Sequence, residues 1–180
     1  MKNLNQSLET NIIELFLLRP ENVSDSYVSW LNNPEINRFL ECRFQRHDIE
    51  TVKKFVEGCV SSNHTFLFGI RSKELGGLHV GNIKIGPIDN NHCLADIGFL
   101  IGERAVWGKG VATDAIKLIS HFAFNELSIR KLAAGCYQSN VGSQRALEKA
   151  GFKVEGIRER HYTLNGAEEA FIFFGLLQSA

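Results

Sequence analysis

Several classes of protein are excluded by what this sequence lacks. No apolar run approaches the roughly 20 residues that a membrane-spanning helix needs. The four cysteines (Cys42, Cys59, Cys93 and Cys136) form no Cys-x-x-Cys pair and no cluster with histidine, so neither disulfides nor a metal site is expected. The formal net charge is zero, and we expect no nucleic-acid or membrane partner. Residues 1–10 are polar and lack the apolar core of a signal peptide, which predicts a cytoplasmic protein.

The chain reads as one α/β (α+β) domain over residues 1–180, long enough to bury a core without disulfides or metals. Hydrophobic periodicity predicts a mixed sheet with helices on both faces, in the order β-α-α-β-β-β-α-β-α-β-β. The predicted strands are 11–18, 65–70, 79–85, 93–101, 131–137, 152–162 and 171–177. The predicted helices are 25–31, 48–59, 111–126 and 141–150, with 35–46 irregular, a turn at 87–91 and a hairpin turn at Asn165-Gly166.

A glycine-rich turn separates the predicted strand 93–101 from the longest predicted helix. Gly108 and Gly110 allow the backbone to turn tightly and to approach a ligand closely. The helix that follows begins with unpaired N–H groups at the positive end of its dipole, which favours a diphosphate. The spacing fits neither a P-loop nor a dinucleotide-binding fingerprint.

This turn resembles the pyrophosphate loop of the GNAT N-acetyltransferases, in which Gly110 and Ala112 would occupy the last two fixed positions. Trp107 replaces the usual Gln or Arg, as in the branch that acetylates ribosomal-protein alanine N-termini (RimJ/RimL-like) and related small amines. Two further motifs resemble the same family. One is Asn140-x-x-Ser143 followed by Glu-Lys-Ala-Gly-Phe at 148–152, and the other is Ala95-x-Ile97-Gly98-Phe99.

The resemblance implies a mostly antiparallel sheet whose central strands splay apart around acetyl-CoA, with no metal. It implies direct attack by the amine in a ternary complex, with no acyl-enzyme, so that Cys136 is expected to be a buried thiol. The residues expected to contact acetyl-CoA are Phe99, Leu100, Ile101, Trp107, Gly108, Lys109, Gly110, Val111, Ala112, Thr113, Asn140 and Ser143. An N–H beyond Phe99 would polarise the thioester carbonyl.

The general acid cannot occupy the position where many members carry tyrosine, because that position is Leu147 here. The resemblance makes Ser143 the candidate that protonates the CoA thiolate. Ser143 could instead be a helix-start residue that satisfies an amide. Asn140 is expected to bond the pantetheine arm, to cap the helix, or both.

The general base stays open between several residues. Asp96 lies on the polar side of its strand, while Glu41, Glu159, His161 and Tyr162 could reach the acceptor from the loop and the last hairpin. A bound water would serve as well. Lys109 and Arg104 flank the phosphate loop as phosphate contacts or as plain solvated residues.

The acceptor pocket is expected between the loop after the first helix and the final hairpin. Trp30, Glu41, Arg43 and His161 are its candidate residues, and the loop resembles one in acetyltransferases of amino-sugar nucleotides. A small or sugar-borne primary amine is therefore the predicted acceptor, with Arg43 holding an anionic group. A protein N-terminus, a CoA-binding sensor without turnover, and a Glu41–Arg43 salt bridge that only fixes the loop remain alternatives. The protein is expected to be a monomer or a homodimer.

Overall fold

The computed structural model describes residues 8–178. Most of the polar start of the chain, on which the signal-peptide argument rests, lies outside these residues. The strands are Leu8–Glu9 (β1), Ile13–Leu17 (β2), Phe66–Ser72 (β3), Leu78–Asp89 (β4), Leu94–Ile101 (β5), Lys131–Tyr137 (β6), Lys153–Leu164 (β7) and Ala167–Leu177 (β8). The α-helices are Asp25–Asn32 (α1), Pro34–Asn37 (α2), Ile49–Ser61 (α3), Val111–Glu126 (α4) and Val141–Lys149 (α5). Within the described part, no helix has both the length and the apolar content to cross a membrane.

The strands form one sheet in the order β1-β2-β3-β4-β5-β6-β8-β7. Neighbouring strands run antiparallel except for β5 and β6, which are parallel. The predicted mixed, mostly antiparallel sheet is therefore confirmed. A parallel pair needs a long crossover, and here α4 supplies it between β5 and β6.

Each face of the sheet carries its own apolar core. Alternation along β3 sends Phe68 and Ile70 to the face covered by α4 and α5, and Leu67 to the opposite face. On that opposite face α1 and α3 bury residues such as Tyr27 and Val56. The prediction of helices on both faces is confirmed.

The region 35–46 differs from the irregular segment predicted for it. Asn33 accepts a hydrogen bond from the N–H of Glu35, and Pro34 opens the short helix α2. A 3₁₀ turn follows at Glu41–Phe44. The Asn-Asn-Pro sequence therefore ends one helix and starts the next, because proline is well suited to a first helical position.

Several strand ends also differ from their predicted positions. The first main strand is shorter than predicted, β4 continues to Asp89 through an irregularity between Ile85 and Ile88, and β8 begins at Ala167. The hairpin turn is confirmed, with Asn165 and Gly166 both at positive φ.

Candidate active site

The two parallel central strands separate soon after they pair. Leu94, Ala95 and Asp96 of β5 pair with residues 131–133 of β6, and the strands make no further ladder contact. The paired positions lie at the N-terminal ends, so the gap opens toward the C-terminal ends. Both α4 and α5 begin near this open end, because each follows one of the two strands. The predicted opening in the sheet is confirmed.

The start of α4 presents a set of unpaired backbone donors. The first helical hydrogen bond runs from the N–H of Asp114 to the carbonyl of Gly110, at 2.9 Å. The N–H groups of Gly110, Val111, Ala112 and Thr113 donate to no partner among the described residues. They lie at the positive end of a 16-residue helix. This arrangement fits a diphosphate.

Backbone conformation requires the two glycines of this turn. Gly108 has φ +75° and Gly110 has φ +86°, in the region that side chains rarely adopt. A Cβ on Gly108 would meet no atom within 4 Å, and one on Gly110 would meet only Ile12 Cδ1, at 4.0 Å. The space next to both glycines is therefore open to a ligand.

Ion pairs and one indole hydrogen bond fix the flanks of the turn. Lys109 Nζ lies 2.6 Å from Glu74 Oε1, and Arg104 pairs with Glu35. The indole N–H of Trp107 donates to the carbonyl of Ile101, at 2.9 Å, and so ties the turn to the end of β5. Both ion pairs are exposed and therefore weak, so Lys109 or Arg104 can exchange its carboxylate partner for a phosphate.

At the start of α5 the capping residue is Asn140. Its Oδ1 accepts the N–H of Ser143, at 3.2 Å, which confirms the capping role predicted for Asn140. The alternative role of Ser143 as the residue that satisfies an amide is wrong. The half-buried Ser143 hydroxyl makes no hydrogen bond to the described residues, whereas Leu147 lies in the core with 1% exposure. The hydroxyl of Ser143 thus remains available to a ligand.

A hydrogen-bonded cluster lies at the mouth of the gap. The phenol of Tyr137, the last residue of β6, donates to Glu41 Oε1, at 2.5 Å. The Arg43 guanidinium donates to Tyr137 Oη (3.0 Å), to Glu41 Oε1 (3.1 Å), and to the carbonyls of Leu40 (2.9 Å) and Thr163 (3.3 Å). Tyr137 is 1% exposed, while the Glu41 side chain is 58% exposed. The Glu41 carboxylate is thus held by Tyr137 and Arg43 and is also exposed to solvent.

Burial, and then the hydrogen bond to the Glu41 carboxylate, raise the pKa of Tyr137 above its ordinary value. The phenol therefore keeps its proton at neutral pH and acts as a donor to Glu41.

Aromatic side chains of the last hairpin surround the Tyr137 ring. Tyr162 and Phe171 lie with ring centroids 5.5 and 5.7 Å from it, and His161 packs against Tyr162 at 4.5 Å. An irregularity in β7 between Arg158 and Tyr162 interrupts the pairing at this point. The structure therefore brings four predicted residues, Glu41, Arg43, His161 and Tyr162, together around Tyr137.

Asp96 lies at the other end of the gap. Its side chain is on the same face as Tyr137, but it belongs to the last paired position. Counting equal steps along both strands from the Asp96–Ala133 pair places Leu100 level with Tyr137, about 13 Å from Asp96. Asp96 therefore lies about four residues along β5 from the end at which Tyr137 bonds Glu41. Burial raises the pKa of Asp96, an effect that the nearby Lys84 opposes.

Two predicted residues lie in the core. Trp30 is 5% exposed, its ring lies 5.3 Å from that of His79, and it fills the space over Gly102. Its predicted place in the acceptor pocket is therefore wrong. Cys136 is 5% exposed, and burial raises the pKa of its thiol to about 12, which suits the expected buried thiol.

Sequence reasoning missed Tyr137. It was predicted only as the end of a strand, although strand alternation places it opposite the buried Cys136, on the face of Asp96. A tyrosine at the end of a splayed strand, directly before the Asn140 helix start, was the available signal.

Comparison with known proteins gives a consistent assignment. A family profile described as an acetyltransferase (GNAT) domain matches residues 15–153. A probable N-acetyltransferase, YjcK, of Bacillus subtilis is 43% identical over 75 residues, which are 42% of this chain and 41% of that protein. An uncharacterized N-acetyltransferase, p20, of Bacillus licheniformis is 23% identical over 176 residues, covering 95% and 97% of the two chains.

A solved structure shares the fold. Mycobacterium smegmatis RimJ, in complex with CoA-disulfide, superposes with a TM-score of 0.78 at 19% identity, over 92% of this chain and 81% of that one. Among residues 8–178, no group of three or more His, Cys, Asp or Glu side chains is arranged to hold a metal ion.

Proposed function

This chain belongs to the GNAT acetyltransferase family, and from that premise we propose that it acetylates a primary amine on a small or sugar-borne acceptor. The enzyme class is acyltransferase, with acetyl-CoA as donor. The observation that carries the acceptor proposal is the Glu41 carboxylate, which is open to solvent at the mouth of the gap and held by Tyr137 and Arg43.

The residues present fit acetyl-CoA. The unpaired N–H groups from Gly110 to Thr113 suit its diphosphate, and the unpaired edges of β5 and β6 suit the amides of its pantetheine arm. Bound there, acetyl-CoA supplies a thioester whose carbonyl carbon the amine attacks. The N–H of Gly102 donates to Val80 of β4, so the neighbouring Ile101 directs its backbone groups toward the gap. The N–H of Ile101 would polarise the carbonyl oxygen of the thioester.

Glu41 is the residue that orients the amine and accepts its proton. Its partner Tyr137 lies level with Leu100, whereas Asp96 lies about four residues, or ~13 Å, back along β5. Tyr137 positions the carboxylate by donating to it, and Arg43 fixes both groups. Asp96, His161 and Tyr162 then shape the acceptor side without taking the proton.

Ser143 protonates the leaving thiolate. Its hydroxyl is half-buried, has no partner among the described residues and belongs to the first turn of α5, at the open end of the gap. Asn140 holds that first turn in place through its cap. Leu147, at the position where a tyrosine would serve, is apolar and buried.

The test is thiol release from acetyl-CoA with wild-type protein and Glu41→Gln. The acceptors are free amino sugars, polyamines, nucleotide-linked amino sugars and alanine-initiated peptides. We expect acetylation of at least one small amine, and a fall in kcat of roughly 10²–10⁴ in Glu41→Gln if the carboxylate accepts the proton. Acetylation of the peptides alone would refute the small-amine acceptor. Wild-type kcat in Glu41→Gln would refute the role of Glu41.

A further inference from the structure

We propose that a cationic groove beside the Glu41 cluster binds the phosphate groups of a nucleotide-linked amine acceptor. The groove lies between the segment of α2 and the following 3₁₀ turn and the β7–β8 turn, and it has a volume of about 890 Å³. Arg38, Arg43 and Arg46 line it, and no acidic residue does. The inference rests on the proposed acetyl transfer, for which it names the substrate class.

Arg43 does not itself provide the phosphate contact. Its two terminal nitrogens already donate to the carbonyls of Leu40 and Thr163, to Glu41 and to Tyr137. A forked contact from Arg43 to a phosphate, which the sequence suggested, would have to break these bonds. The anion-binding role therefore falls to the other two arginines of the groove.

Arg38 and Arg46 have uncompensated charges. Both are exposed, and neither forms an ion pair within residues 8–178. Other arginines, such as Arg104 and Arg160, have carboxylate partners. Two unpaired guanidinium groups in one concave surface produce a positive potential, and their forked donors match phosphate oxygens.

The groove also offers a surface for a flat ring. Phe44 lines it with 72% of its surface exposed. The Arg43 guanidinium lies 4.1 Å from the centre of its ring and limits its motion. A nucleobase could stack on such a ring, and the groove volume lies within the roughly 300–1,000 Å³ of small-ligand sites.

The groove and the reaction centre are contiguous. Arg43 lines the groove, and the same guanidinium bonds Tyr137 and Glu41 at the mouth of the gap. An acceptor whose nucleotide lies in the groove would therefore extend its sugar amine toward Glu41. Acetyl-CoA occupies the other side of the gap, at the start of α4.

The probe is UDP, titrated by calorimetry into the full chain at low salt with CoA at saturation, so that the diphosphate loop is occupied. We expect UDP to bind with a Kd of about 1 mM or tighter, and uridine not to bind.

The double variant Arg38→Gln/Arg46→Gln should weaken UDP binding at least roughly tenfold by removing the charge-assisted contacts. Phe44→Ala should weaken it as well. The matched control is Arg130→Gln, in an exposed arginine whose Nε donates to the carbonyl of His92, and it should bind UDP as wild type does.

The same variants are then assayed with glucosamine and with UDP-glucosamine. Unchanged UDP affinity in the double variant, no UDP binding up to 5 mM (about five times the Kd we expect), or tighter binding of an oligoglutamate peptide than of UDP would each overturn the groove proposal. Turnover of amines could still be observed in any of these cases. The opposite result is also possible to distinguish. If UDP binding is weakened in the double variant and the wild-type protein acetylates no amine, the proposed function is refuted and the groove assignment stands.

Discussion

Replacing Tyr137 by phenylalanine removes one hydroxyl from the centre of the proposed acceptor site. The ring stays packed against Phe39, Tyr162 and Phe171, so no cavity forms. What is lost is the hydrogen bond to the Glu41 carboxylate and the one from Arg43.

The size of the effect follows from the environment of the partners. Hydrogen bonds to charged groups contribute about 1.5–3 kcal/mol each. Here the exposed Glu41 regains water and Arg43 keeps its other acceptors, so we expect a loss of about 1–2 kcal/mol in the free energy of unfolding. For a chain of this size that loss lowers Tm by about 2–8 °C. If Tyr137 positions the base, kcat/KM for the acceptor should fall about 10- to 100-fold, or about 1.4–2.7 kcal/mol.

Thermal unfolding and two-substrate kinetics measure both effects. The KM for acetyl-CoA should not change, because the phenol faces the acceptor side. Tyr27→Phe makes the same chemical change in the core beneath α1 and α3, where the hydroxyl bonds no described residue, and it should leave the kinetics alone. Tyr162→Phe removes the hydroxyl of the neighbouring tyrosine and so tests whether an effect on kinetics belongs to the Tyr137 hydroxyl alone. A Tyr137→Phe enzyme with reduced Tm and normal acceptor kinetics would refute the positioning role and leave the cluster a structural clamp.

Three further changes test the rest of the site. Gly110→Val imposes a branched side chain on a backbone at φ +86° and next to the free amides, so calorimetry should detect no acetyl-CoA binding while the fold persists. Ser143→Ala should lower kcat by roughly 10²–10⁴ without lowering Tm, because Asn140 is the cap. Asp96→Asn should raise Tm at pH 7 and not near pH 3.5, since the raised pKa means that stability is lost as the carboxyl ionises above its ordinary value of 3.8.

The controls for these variants are close in chemistry. Gly58→Val lies in α3, where a Cβ meets nothing within 4 Å, and it should bind acetyl-CoA normally. Ser139→Ala changes an exposed serine in the connection between β6 and α5, just before the helix that carries Ser143. Normal acetyl-CoA affinity in Gly110→Val, an unchanged chemical step in Ser143→Ala, or a Tm difference for Asp96→Asn that does not vary with pH would contradict the respective argument.

Elements set by strong local patterns were predictable from the sequence. Helix α4 and strand β6 have their predicted bounds, because an apolar stripe and a glycine turn define the first and alternation defines the second. The unpaired N–H groups at the start of α4 were predictable for the same reason, since they belong to consecutive backbone positions. The position of β8 was not, because its first residues are polar and are recruited by pairing with β7.

Side chains whose role depends on distant residues could not be assigned from the sequence. Trp30 lies on an amphipathic helix, and only the absence of a side chain at Gly102, in another element, lets it lie flat in the core. The alternative role of Ser143, as the residue that satisfies an amide, was left open because asparagine and serine are both good capping residues and the exact helix start decides between them.

Arg43 shows most clearly why residue type alone did not define the acceptor site. An arginine beside a glutamate in an apolar loop suggests an anion contact, but its donors reach Tyr137 and Thr163, which are 94 and 120 residues away in sequence. Those bonds join the acceptor loop, the end of β6 and the last hairpin. Since the same three elements line the mouth of the gap, a change in the loop would alter the position of Glu41 relative to Leu100. We therefore expect Arg43 to act on the reaction through geometry, and the unpaired Arg38 and Arg46 to be the residues that contact the acceptor.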